Sequence, residues 1–555
     1  MTRRVRAALC SPLLAVGLLL LCGVALLAKE NLPPARTVRH GVGFRVSPPL
    51  RELAKLPMRR HYRFYPNRSR LQSQRPPAGV VVDTVEQSTA EGGSNFAIDI
   101  NVGGVGLGFS GFNTTFNYPD ANIAVGDTQL VQWANNSLAV FDKTTGMALT
   151  PAIPFSSIWT TGPCSQYTPE GHPIVQWDGI AHRWLLAENA VMGAPDAYAG
   201  YACIAISTSP DATSTYYLYQ FSLGSGYPDL AKWGIWSTSF FQSNDNFGAD
   251  AKTFIGSDPC AYNRVKMLAG DPSAEQICIQ LSSSDFALMP ADIDSPVGPP
   301  VGQDEFLLSL WDSSDLALYS FHVDWSTVTG SITGGGGTQL FPVPAFTPAC
   351  NGQYLGACVP QLSTPVLLDV LGDRLLYRLV YYNGLPGKIP PTVAFQHWLV
   401  VHDVTASGGN TAERWYEFLA LPRRIPVTSI RLFQSGTYAP DNSNYRWMGS
   451  IARDQDGDIL MGYSESSSDI YPSIAITGRL VTDPPGTMEP ELLVIPGGGA
   501  YTGVFDHNLN RWGDYTSMRL DPDGCTLWYT NEYYTTNGLS NWSTQINSAT
   551  FAGCQ

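Results

Sequence analysis

Two stretches of the chain, about 65 residues apart, repeat one pattern: Arg-Trp, a short gap, Asp-x-Asp-Gly-x-x-Leu, four residues, then Glu. The first runs from Arg446 and Trp447 through Asp454, Asp456, Gly457 and Leu460 to Glu465. The second runs from Arg511 and Trp512 through Asp521, Asp523, Gly524 and Leu527 to Glu532. Asp-Gly between apolar or aromatic runs marks a β-hairpin, because glycine accepts the positive φ of the turn. A duplicated hairpin at this spacing points to a repeat architecture. The polar members of the pattern then fall at strand ends, where a rigid scaffold presents them.

Weaker copies extend the pattern towards the N-terminus. Units start near Asp120, His172, Trp233, Phe306, Val366, Trp447 and Trp512, which makes seven. The chain has 555 residues, with 53 Gly, 41 Pro and only 14% charged residues, a composition suited to many short strands joined by turns. The expected fold is all-β: a β-propeller of about seven blades over residues 80–555. After Tyr515 only three strands of the last blade remain to be supplied, so a strand near Val80 or Phe96 is expected to complete it and close the ring. Two packed sandwiches are the alternative, and repeated Arg-Trp hairpins fit them less well.

Residues 1–28 read as a signal peptide or membrane anchor. Arg3, Arg4 and Arg6 precede an apolar run from Ala7 to Ala28. Residues 29–79 read as a basic, Pro-rich linker that folding can do without, broken by Pro33-Pro34, Pro48-Pro49 and Pro76-Pro77. Within it, Leu50 to Leu56 suits a short helical turn. This segment carries a net charge of +10, whereas residues 80–555 have 18 Lys and Arg against 45 Asp and Glu, a net of −27. So acidic a body repels phosphates, which argues against a nucleic-acid partner. A membrane contact is expected only through an uncleaved N-terminal segment. Eight cysteines follow Cys10 and Cys22. In an oxidising compartment, sequence proximity pairs Cys164 with Cys203, Cys260 with Cys278, Cys350 with Cys358, and Cys525 with Cys554.

The stretches 119–126, 444–450 and 511–515, together with Thr526 to Tyr533, resemble a family of exported bacterial β-propeller-like proteins. The resemblance covers the chain from about residue 118 onward. It implies a propeller and export, and it implies no reaction. A more distant likeness, at the level of fold, is to sialidase-type propellers. Asp523-Gly524-Cys525-Thr526-Leu527-Trp528 departs from the spacing of their Asp-box turns, so no catalytic residue carries over.

Inner-strand entries of a propeller face its central opening. Asp514, Glu532 and Asp120 are the candidate catalytic carboxylates, since a glycosidase needs an acid beside a nucleophile or base. Arg511, Trp512, Tyr515, Arg446, Trp447, His172, Lys232 and Trp233 are the candidate ligand-binding residues: Arg forks onto anionic groups, and aromatic faces stack on sugar rings. The competing role for all of them is to pair and pack between blades and so hold the ring. No zinc-ligand spacing, nucleophile elbow or phosphate-binding loop is present. No metal or cofactor is expected; calcium at Asp454, Asp456 and Asp458 ranks below a plain hairpin turn. The expected function is an exported propeller that binds a glycan or protein ligand outside the cell. The alternative is a glycoside hydrolase or polysaccharide lyase with its site at the central opening.

Overall fold

The computed structural model describes residues 35–55, 81–104, 118–135, 137–166, 168–194, 196–352, 356–384, 395–503, 510–539 and 541–554. The signal or anchor segment at 1–28 and most of the linker lie outside these residues. The compact unit from Arg36 to Gln555 is a β-propeller, almost entirely antiparallel.

Among the described residues the strands form seven radial sets, here blades 1 to 7. Their innermost strands are Asn122–Val125, Thr168–Asp178, Tyr227–Ile235, Met289–Ile293, Leu376–Gly384, Tyr445–Arg453 and Ser517–Leu520. Each lies against the next, and the seventh lies against the first. In blades 4 and 5 the contact is a parallel ladder, Ala291 opposite Leu379. The fourth and fifth units start elsewhere than expected. Phe306 is on the second strand of blade 4, Glu305–Leu310, and Val366 is in a separate hairpin before blade 5. The inner strand of blade 4 carries Pro290 and lacks an Arg-Trp pair, so it gives no strand-like signal.

A second repeat is invisible in the sequence. One residue near the entry of every inner strand has φ between 50° and 62°: Asp120, His172, Leu230, Ala287, Leu371, Met448 and Asp514. None is glycine. In blades 2, 3 and 6 the ladder shifts register at this residue, so it is a β-bulge that turns the chain into the ring.

Both hairpin turns form as the sequence indicates, with Gly457 at φ 94° and Gly524 at φ 83°. The last blade is closed by Phe96–Gly103, which pairs antiparallel with Trp542–Phe551. All four disulfides join the expected partners. Large aromatics fill the spaces between blades; Trp447 and Trp512 lie 5.8 Å apart, both buried.

The stretch expected as an irregular linker instead carries ordered structure. Ala35–His40 pairs with the outer strand of blade 3. Gly43–Val46 pairs with the outer strand of blade 2, Val46 opposite Tyr217. The helical turn Leu50–Leu53 follows, and Leu50 is fully buried among Trp133, Phe155 and their neighbours. Its prolines break helices but tolerate edge strands, and open sheet edges supply the partners. Leu50→Ala is expected to lower stability by about 2 kcal/mol or more. An unchanged melt would mean that this strap merely rests on the blades.

Candidate functional site

The inner-strand entries bring together Asp120, His172, Lys232 and Asp514 from the sequence-derived set, with Arg511, Tyr515 and Glu532 around them. Asp514 accepts a fork from Arg511, with Nε at 2.6 Å from Oδ1 and Nη2 on Oδ2. The Arg511 guanidinium lies 4.6 Å from the Tyr118 ring centre. Asp120 accepts the His172 backbone N–H at 3.2 Å, and its own N–H donates to Gly513 O at 3.1 Å. Glu532 accepts the Gly513 N–H at 2.6 Å. His172 Nε2 meets Asp229 Oδ1 at 3.1 Å.

These carboxylates are not offered to solvent: Asp120 and Glu532 are 0% exposed and Asp514 3%. Burial, reinforced by Asp514 and Asp120, pushes the Glu532 carboxyl well above its usual range. Each of the three candidate catalytic carboxylates is thus engaged in holding strand entries to one another. Asp369, also buried, is pushed up to about 6 by burial, against the pull of Arg511.

Below this layer the axis is plugged. Arg519 of blade 7 donates to Tyr377 Oη at 2.7 Å and Ile123 O at 3.2 Å, and pairs with Asp292. Arg378 reaches the same Asp292 at 3.0 Å and Asp294 at 2.8 Å. Tyr515 stands above the plug, its ring 5.7 Å from that of Tyr377 and its hydroxyl donating to Pro173 O at 2.9 Å. The opening is therefore closed beneath Tyr515, and no chain can thread it.

Lys232 is the exception to the mutual pairing. Its ammonium lies 3.9 Å from the Tyr515 ring centre and has no hydrogen-bond partner among the described residues, and the residue is 4% exposed. Burial lowers the amine to about 7, opposed by Asp120 and Asp514. A buried amine without an acceptor is costly, and groups so perturbed concentrate at functional sites.

The remaining candidates do not join this site. Arg446 is buried in a separate cluster on blade 6, at 2.7 Å from Asp441, 3.2 Å from Glu465 and 2.6 Å from Glu491. Trp447 and Trp512 pack between blades, and Trp512 Nε1 donates to Ser464 Oγ at 3.0 Å. Trp233 stacks on Tyr262 at 5.3 Å. Asp229, Asp369 and Arg374 belong to the central set and were missed by the sequence reading. Their signal is position relative to the bulge, which needs the structure to be seen.

Asp120, His172 and Asp514 each bring one ligand atom within 4.8 Å of the others, the geometry a cation would need. The Arg511 fork and Lys232 already supply positive charge there. Asp454, Asp456 and Asp458 belong to the blade 6 hairpin turn, where Asp454 Oδ1 accepts the Asp458 N–H at 2.9 Å. Among the described residues they do not gather into a ligand set.

No protein-family model matches the chain. No curated protein matches it either. Among solved structures it is similar to a phage phi92 endosialidase at 8% identity, with a TM-score of 0.37 over 83% of this chain and 70% of that one. It is similar to a mutant Trypanosoma rangeli sialidase at 9% identity and a TM-score of 0.36 over 71% of this chain, spanning 60% of the sialidase's length. A Bacillus subtilis arabinanase matches at 11% identity and a TM-score of 0.27, over 66% of this chain and 95% of that one. Likeness this distant bears on neither substrate nor chemistry, and the propeller assignment rests on the sheet topology.

Proposed function

We propose that the protein is an exported β-propeller that binds a glycan or protein ligand at the inner-strand entry end of its ring, without cleaving it. One observation carries this reading: the Lys232 amine is buried at the point where the strand entries converge and has no acceptor among the described residues. An oxygen from a ligand would supply that acceptor, with Tyr515 as an apolar floor. The hydrolase alternative needs an acid and a second carboxylate at a substrate, and Asp120, Asp514 and Glu532 are buried in the framework. Four disulfides suit an oxidising compartment, in line with export. A glycan array and a parallel assay for released reducing ends test both halves. Retention without cleavage is expected; cleavage of any retained polysaccharide would restore the hydrolase, and an array without retention would count against a glycan.

A further inference from the structure

The entry end repeats one hydrogen bond around the ring. In blades 2 to 6 the positive-φ residue at the inner-strand entry gives its N–H to an aspartate. Asp120 takes His172 at 3.2 Å, Asp229 takes Leu230 at 2.9 Å, and Asp245 takes Ala287 at 3.0 Å. Asp369 takes Leu371 at 3.0 Å, and Asp403 takes Met448 at 3.4 Å. All five aspartates are buried. One carboxyl oxygen thus fixes the turn into the strand. The second oxygens of Asp245 and Asp369 have no hydrogen-bond partner among the described residues.

Charge at this end is one-sided. Arg374 Nε lies 2.7 Å from Asp373, and Arg511 is forked onto Asp514, so each arginine has a carboxylate of its own. Lys232 then stands against Asp120, Asp245 and Asp369. Its amine, lowered by burial, is drawn back up by Asp120, Asp514 and Asp245. Asp369 belongs to the same end, since its N–H donates to Asn510 O at 3.0 Å, beside Arg511. The entry is a ring of aspartates with one ammonium among them.

Taking Lys232 as the donor to the ligand, as above, we propose that the site holds the uncharged terminal sugar of a glycan, end-on. Its hydroxyl groups accept from Lys232 and donate to the aspartates around it. A carboxylate, sulfate or phosphate would satisfy Lys232 but meet the aspartates as a like charge. A cation would offer Lys232 no acceptor. A hydroxyl does both, because its oxygen accepts while its hydrogen donates. The axis is closed beneath Tyr515, so only the end of a chain enters. Peptide ends carry charge, whereas the non-reducing end of a neutral glycan presents hydroxyls alone.

The test uses the full chain on matched pairs of immobilised oligosaccharides. Neutral tetrasaccharides of glucose, mannose, galactose, xylose and arabinose are each set beside the same chain ended by glucuronic acid. Lacto-N-neotetraose is set beside its sialylated form. Retention is expected for at least one neutral chain and should fall about tenfold or more when the acid is added. It should change less than about twofold between low and high salt, since no ion pair to the ligand is screened. Asp245→Asn with Asp369→Asn should narrow the gap between the members of a pair. Acid-ended chains retained as well as or better than their neutral partners, in a manner that Lys232→Met abolishes, would overturn the sugar class and leave Lys232 as the donor to the ligand. Retention that survives Lys232→Met, or no retention of any chain, would overturn both.

Discussion

Asp514→Asn is expected to cost the protein on the order of 3 to 5 kcal/mol, the loss typical of a buried ion pair stripped of one partner. The Asp514 side chain is 0% exposed and that of Arg511 13%, and the two form a fork. The amide cannot compensate the guanidinium, which keeps its charge. Backbone strain does not confuse the result, because asparagine tolerates the left-handed conformation that Asp514 adopts at φ 62°. A thermal melt beside wild type reads the effect. A melt within a degree of wild type would return Asp514 to the candidates for catalysis, since a solvent-facing pair contributes only about 0 to 1 kcal/mol.

The second large effect is in pH. The protein is expected to be more stable at pH 5 than at pH 7.5, by on the order of 5 kcal/mol. Burial raises Asp245 and Asp369 to about 6, and Asp258 and Asp454 to about 7. It also raises Glu305 and Glu532 well above their usual range. Asp403 and Glu413, directly opposite on adjacent strands, are both raised by burial, and the charge of Asp403 adds to the effect on Glu413. The geometry agrees, since each of these groups except Asp258 has a buried carboxyl oxygen without a hydrogen-bond partner.

Raised folded-state values mean that the folded chain holds more protons than the unfolded one. Stability is then fully present below the unfolded values near 4 and is lost as pH rises through the folded ones. Two groups act the other way at the acid end. Glu417, held at about 2 by His397 and Arg453 despite burial, and Asp292, held low by Arg519 and Arg378, stabilise above pH 4 and lose that effect below it. Lys232, lowered to about 7, regains stability for the fold only above that pH. Melts at pH 5, 6 and 7.5 decide the matter; a midpoint that rises with pH over this range would contradict the account. Glu413→Gln should flatten the slope, because an amide needs no proton to sit beside Asp403.

The propeller was legible because hairpin turns are local. Gly457 and Gly524 sit where two-stranded pairing needs them, and their Asp-Gly signals survive in sequence. The closing strand Phe96–Gly103 was legible from a deficit in the last blade. The strap at 35–55 was not, since its strands have no core of their own and exist only against the outer edges of blades 2 and 3. At the site, sequence reasoning placed Asp120, His172, Lys232, Arg511 and Asp514 together because all lie near strand entries. It could not separate ligand-facing groups from framework. Trp512 and Arg446 have the residue types of a sugar site, yet burial assigns them to packing and to an isolated charge cluster. Lys232 and Asp514 are both buried; what distinguishes them is that Asp514 has its arginine, whereas the Lys232 amine has no acceptor among the described residues.

Lys232→Met tests that distinction most directly, through a melt and a repeat of the glycan array on the same preparation. Methionine keeps the stem on the Tyr515 ring and removes a buried amine without a hydrogen bond, a change that is commonly neutral or stabilising. The account predicts a melting temperature equal to or above that of wild type, together with loss of the retention seen for wild type. Unchanged retention would contradict it, because the ligand would then be held somewhere other than the opening above Tyr515.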